Sequence, residues 1–142
     1  VCETQAYEAE AAMRLEGLVD RPRVLTDGWQ VRDGVLDLWP LMDALADCDA
    51  REGADLFHGT LAAGLVALAV PVLHARGQTS IALAGGCLAN GVLAAELVRR
   101  FEAAGIAPIL PRRAPVTDGG LALGQAWVAL HTPFDGTGGT NA

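Results

Sequence analysis

The chain has 142 residues, 51% of them hydrophobic and 19% charged, which supplies one apolar core and excludes general disorder. Its formal net charge of -7, pI near 4.7 and lack of any lysine argue against a nucleic-acid partner, because phosphate neutralisation needs clustered cations. The same lack removes the phosphate-binding lysine of a P-loop and any Schiff-base lysine.

Three cysteines, Cys2, Cys48 and Cys87, without paired metal-ligand spacing suit a reducing, cytoplasmic setting better than a disulfide framework. The apolar run 61–73 has 13 residues and contains Pro71, so it falls short of the roughly 20 that a membrane-spanning helix needs, and no membrane association is expected. The chain opens on Val1 with no charged-then-apolar signal segment, and it reads as part of a longer protein.

In chain order, residues 6–18 interleave Ala, Met and Leu with Glu and Arg, which predicts a first helix ending near Gly17. Residues 29–32 and 35–38 alternate apolar with polar around Asp33-Gly34, a strong hairpin signal. A short helix follows from Pro40 toward Ala46. Residues 53–74 carry apolar side chains around almost the whole circumference of a long buried helix, which Pro71 should kink or shorten. A βαβ unit comes next: a strand at 79–84, a helix at 90–104 with Gly105 as its left-handed C-cap, and a strand at 106–110. Asp118-Gly119-Gly120 opens a last apolar helix to about His131, and 132–142, rich in Gly and Thr, reads as a disordered tail.

Few of these residues carry recognisable chemistry. Gly85-Gly86 lies between a strand and a helix, where backbone amides and the helix dipole favour an anion, although a Gly pair is equally the composition of a plain turn. A dinucleotide fingerprint is not matched, since GxGxxG is absent and the next strand ends in Pro-Arg-Arg. Asp118 reads either as an N-cap or as a metal ligand, and His58, His74 and His131 are not spaced as partners for it. His58 and His74 are expected to pack along the long helix. Cys87, beside the glycines, reads as a small buried thiol rather than a nucleophile, having no His or Asp partner in sequence. Glu8 and Glu10 read as a solvated face at the start of the first helix.

Three segments in order resemble the HypF-type carbamoyltransferases of hydrogenase maturation: Tyr7-Glu8-Ala9-Glu10-Ala11-Ala12-Met13-Arg14-Leu15-Glu16, Gly85-Gly86-Cys87-Leu88-Ala89-Asn90, and Asp118-Gly119-Gly120-Leu121-Ala122-Leu123-Gly124-Gln125-Ala126. The likeness runs from residue 1 to about 131 and includes Phe57-His58. It implies an α/β fold that is one lobe of the actin-like, sugar-kinase-like (ASKHA) ATPase architecture, with a mixed sheet flanked by helices: a C-terminal nucleotide-binding lobe over 1–131 and a tail over 132–142. It further implies an enzyme that makes carbamoyl adenylate from carbamoyl phosphate and ATP. The carbamoyl group then passes to a C-terminal cysteine of a HypE-type partner, toward the cyanide ligands of nickel-iron hydrogenases.

Carried onto matching positions, the resemblance places Gly85, Gly86 and Gly119 against the nucleotide, Asn90 at its adenosine portion and Glu8 at the ribose hydroxyls. Asp118 becomes a ligand of a divalent metal, iron or zinc. The paired metal-binding histidines of the family have no counterpart here, so the remainder of the HypF-type enzyme is an implied partner and the lobe by itself is expected to be inactive. The sequence departs from the family pattern at Ala9, where Gly is usual, at Ala84 and Ala89, where Ser and Gln are usual, and at Thr117, often Asn. These departures keep open a second function, a partner-docking lobe that has lost nucleotide binding. A relative acting in transfer-RNA carbamoylation is a third and gains nothing from the acidic charge.

Overall fold

A computed structural model of the chain describes residues 4, 6–115 and 117–132; the tail expected at 132–142 lies outside them except for Thr132, and so does Cys2. The organising element is helix α3, Ala50–Ala75. Asp49 starts it by accepting hydrogen bonds from Arg51 N and Glu52 N, both at 2.9 Å, as an N-cap does. Pro71 does not shorten it. A helical proline forfeits the bond to the residue four before it, and here that loss falls near the C-terminal end, where the helix runs on to Ala75. By length and composition α3 is also apolar enough to cross a membrane, with a mean hydropathy of 2.0 over an 18-residue window, which the shorter apolar run does not suggest. In this structure α1 (Glu10–Glu16), α2 (Trp39–Leu45), the hairpin and α4 (Gly91–Ala103) all pack on it.

The hairpin pairs β1, Gln30–Arg32, with β2, Val35–Asp37, in antiparallel register with Arg32 opposite Val35. Asp33 and Gly34 both take positive φ, 52° and 76°, as a two-residue type I′ turn demands. Helix α2, Trp39–Leu45, starts with Pro40 in its first turn and with the Asp37 carboxylate accepting from Trp39 N at 2.9 Å. Its anchor is Leu41, fully buried.

The βαβ unit forms as expected: β3, Ser80–Ala82, lies parallel to β4, Ala107–Ile109, with α4, Gly91–Ala103, as the crossover. Leu93, Leu97 and Phe101, spaced four apart on one face of α4, join Ala62 of α3 with Leu83 and Ile106 in the main core. Gly105, at φ 75°, closes the helix as Ile106 N donates to Phe101 O at 2.9 Å.

Three expectations need correction. The first helix, α1, spans only Glu10–Glu16, because Ala9 adopts a left-handed φ of 64° that no continuing helix permits. Nor is Glu10 a solvated residue: it is 4% exposed, accepts from Ala6 N and pairs with Arg14, both at 2.5 Å. The single mixed sheet is likewise not formed among the described residues, which hold an antiparallel pair and a separate parallel pair. Both pairs are two strands of three residues, and α3 packs against the hairpin on one side and α4 on another. The last helix, α5, Leu121–His131, follows a 3-10 turn at Asp118–Gly120 and has every residue exposed.

Candidate functional site

Beyond Ala82 the chain keeps one more ladder bond, Leu83 N to Ile109 O at 2.9 Å, and then turns at Ala84, Gly85 and Gly86. Gly85 holds φ 114°, ψ 160°, a conformation closed to L side chains. A Cβ built on either glycine would meet nothing within 4 Å, so the turn faces open space. Residues Gly86–Ala89 then coil into a 3-10 turn, in which Leu88 N donates to Gly85 O at 3.0 Å. The amides of Gly85, Gly86 and Cys87 donate to no carbonyl among the described residues.

This geometry shifts the anion-binding potential from where the sequence places it. The N-terminus of α4 is already occupied: Gly91 N donates to the Glu16 carboxylate at 2.7 Å, and Leu93 N donates to Asn90 Oδ1 at 2.9 Å. A carboxylate at that position satisfies the dipole and repels a second anion. What remains for a phosphate is the glycine turn and the start of the 3-10 turn, whose amides are unbonded among the described residues.

Ala84 and Gly85 form one wall of a cavity of about 580 Å³ whose other walls include Pro111, Pro115, Thr117, Asp118, Gly120, Gly124 and Trp127. The structure thus brings the glycine turn and Asp118 together, although the sequence sets them far apart. Asp118 is exposed and caps nothing: neither the 3-10 turn it begins nor α5 has a side-chain cap, which removes the N-cap reading. Gly120, absent from the sequence-derived site, is held by close approach, since a Cβ there would lie 2.5 Å from Pro115 O. Its place in an Asp-Gly-Gly run is the only signal that points to it. Trp127 stacks on His131 with ring centroids 3.8 Å apart.

The other sequence-derived residues fall outside the lining. Gly86 is one residue beyond it, and Gly119 and Glu8 are exposed without lining it. Asn90 is not in it either; its side chain caps α4 and binds His58. His58, 1% exposed, sits between Ala54 O at 2.8 Å from Nδ1 and Asn90 Nδ2 at 2.9 Å from Nε2. Because the Asn90 amide nitrogen can only donate, His58 Nε2 accepts, and the ring proton belongs on Nδ1, donating to Ala54 O. Periodicity alone placed His58 in the core and gave no hint of this bond. His74, by contrast, is exposed rather than packed, and Cys87 is an exposed free thiol rather than a buried one.

As a metal centre the described residues fall short. No group of three His, Cys, Asp or Glu side chains converges among them, and Asp118 is the one carboxylate in the cavity lining. It fits a metal as one ligand of a set that needs at least two more.

Comparison with known proteins gives a consistent outcome. Residues 1–125 match the family described as the carbamoyltransferase Kae1-like domain, second subdomain. The chain is 50% identical over 125 residues to the carbamoyltransferase HypF of Rhizobium leguminosarum bv. viciae, an alignment covering 85% of this chain and 16% of that protein. It is 41% identical over 143 residues to a carbamoyltransferase HypF homolog of Cupriavidus necator, covering 91% of this chain and 36% of that one. In structure it resembles full-length HypF solved in a phosphate- and nucleotide-bound form, with a TM-score of 0.78 at 23% identity over 90% of this chain and 18% of that one. The chain therefore spans a minor part of the length of each of these relatives.

Proposed function

Because this chain belongs to the HypF carbamoyltransferase family, as the second subdomain of the Kae1-like domain, we propose that it is the nucleotide-binding lobe of a carbamoyltransferase. The observation that carries this reading is the cavity in which the open glycine turn faces Asp118. The turn offers unbonded amides to a phosphate group, and the solved relative described as phosphate- and nucleotide-bound supports a nucleotide as the ligand. The substrate pair is carbamoyl phosphate and ATP, joined as carbamoyl adenylate, and the acceptor is the C-terminal cysteine of a HypE-type protein. The lobe is one part of the ASKHA ATPase architecture, in which Gly85 and Gly86 hold the phosphates while Glu8, Gly119 and Asn90 lie toward the rest of the nucleotide.

A divalent iron or zinc would polarise the carbamoyl phosphate linkage, and Asp118 would be its single ligand from this chain. It follows that the 142-residue chain alone should retain no stoichiometric metal after dialysis and should transfer no carbamoyl group. Elemental analysis checks this; iron or zinc retained through Asp118 would show that the site is drawn from the wrong residues.

The decisive variant is Gly86→Val in the full-length enzyme. Gly86 has ordinary φ and open space around its Cβ position, so valine should leave the fold intact while blocking close approach of a phosphate to the turn. Carbamoyl transfer should be abolished with the circular dichroism spectrum unchanged, and retained activity would overturn the reading. A second function, docking without nucleotide binding, is favoured by α5, which is apolar on nearly every side and uncovered. Titration of ATP into the full-length enzyme and its Gly86→Val variant separates the two, since a docking lobe gives the same heat in both.

A further inference from the structure

The glycine turn leaves its amides free: a Cβ on Gly85 or Gly86 would meet nothing within 4 Å, and the amides of Gly85, Gly86 and Cys87 make no backbone bond among the described residues. On its upstream side the turn hangs from the last ladder bond, Leu83 N to Ile109 O. On its downstream side two consecutive residues, Asn90 and Gly91, are each gripped by a different helix. His58 of α3 accepts from the Asn90 carboxamide at 2.9 Å, and Glu16 of α1 accepts from Gly91 N at 2.7 Å.

We propose that His58 and Glu16 are positioning residues that together clamp the downstream end of the glycine turn, fixing its free amides for a phosphate ligand. The chain of bonds has a definite direction. His58 Nδ1–H donates to Ala54 O, which leaves Nε2 bare to accept from Asn90 Nδ2. That bond fixes which way the Asn90 amide points, so Asn90 Oδ1 faces Leu93 N and caps α4. Glu16 adds a charge-assisted bond from the far side. His58 is 1% exposed, so its partners cannot be replaced by water without opening the packing around it. Neither residue lines the cavity: His58 acts through Asn90, which caps the end of the 3-10 turn, and Glu16 acts through Gly91, the first residue of α4.

The proposal rests on reading the turn as the phosphate site, and the experiment keeps the two separable. In the full 142-residue chain, nitrogen-15 shifts of the His58 ring should show a proton on Nδ1 and none on Nε2; the opposite tautomer, or an averaged ring, overturns the clamp without any variant. His58→Phe should speed amide exchange at Gly91 and Leu93 by about tenfold, the effect of one lost hydrogen bond, with exchange in the β1–β2 hairpin unchanged. His58→Gln, which keeps an acceptor, should restore most of the protection. Glu16→Leu should act on Gly91 alike, and Glu16→Gln should act less. Equal exchange in all variants overturns the clamp.

The functional arm uses ATP as probe on the full-length enzyme, where His58→Phe should weaken binding by about tenfold and His58→Gln should recover it. ATP affinity equal in wild type and His58→Phe overturns the clamp while leaving the lobe's function standing. No ATP binding even in wild type sinks the nucleotide reading, and the exchange and tautomer arms then decide the clamp alone.

Discussion

Helices α4 and α5 are of similar length, yet α4 keeps Leu93, Leu97 and Phe101 at 6%, 4% and 2% exposed, while α5 leaves Leu121, Trp127 and Leu130 at 60%, 63% and 81%. Composition does not explain this, because α5 is the more apolar helix: its polar side chains are Gln125 and His131, against four charged ones on α4. What differs is the partner. Helix α4 has one apolar face and one charged face, and the chain itself supplies α3 and the strands to cover the first. An all-round apolar helix belongs in an interior, with cover on more than one side, and nothing among the described residues gives α5 that cover. The difference teaches that the described residues cover the apolar face of α4 but leave the helix that follows Asp118 uncovered.

The sharpest way to break that comparison is to truncate a large side chain in each region. Phe101→Ala should lower unfolding free energy by about 3–5 kcal/mol, combining lost transfer energy with a cavity in a filled core. Trp127→Ala, removing the largest side chain of α5, should change it by less than about 0.5 kcal/mol, as an exposed substitution does. Urea unfolding of the chain measures both. A Trp127→Ala cost approaching that of Phe101→Ala would mean that α5 is covered in solution and that the contrast between the helices is false.

A smaller effect separates the regions electrostatically. Glu96 on α4 lies between Arg99 and Arg100, at 2.8 and 2.9 Å, and the Arg99 bond foremost holds its carboxyl below the usual carboxylate range. A depressed folded pKa means the stabilisation is fully present above the unfolded value of 4.5 and is lost as pH falls through the folded one. Glu96→Gln should therefore cost about 1 kcal/mol at pH 7 and progressively less below pH about 4. Thermal melts across that range check it; a pH-independent cost would show that the pair contributes packing rather than charge.

The legible parts of the fold were those where one residue type forces one backbone. Asp33-Gly34 announced the hairpin, Gly105 the end of α4, and the alternation of short apolar strands with a helix gave the βαβ unit within two residues at each boundary. Where tertiary contacts overrule local preference the sequence was silent. Pro71 stays inside α3. Glu10 is buried by its bonds to Ala6 and Arg14. At the site, the motif residues Gly85 and Asp118 line one cavity. The bonds from Glu16 to Gly91 and from His58 to Asn90 cross between helices distant in sequence, and no local pattern encodes them.

The smallest effect is expected at the start of α1, at Ala9. This residue precedes α1 with φ 64° and ψ 9°, its carbonyl accepts from Met13 N at 2.9 Å, and it offers no side-chain cap. An L side chain in the left-handed region costs about 1–2 kcal/mol, because its Cβ crowds the following carbonyl. Glycine removes that crowding but gains freedom in the unfolded chain, so part of the benefit cancels. Ala9→Gly should thus raise stability by about 0.5–1 kcal/mol, provided that the turn before α1 is formed whenever the core is formed. That proviso is what the variant tests. Glu10, in the first turn of α1, is one of the few buried charged groups, and Glu16 at its end grips Gly91, so α1 should be part of the cooperative unit. A gain seen in urea unfolding would place α1 with α4 on the well-packed side of the comparison. No gain would mean that Ala9 is released before the core opens, and α1 would then belong with α5 among the segments this core does not hold.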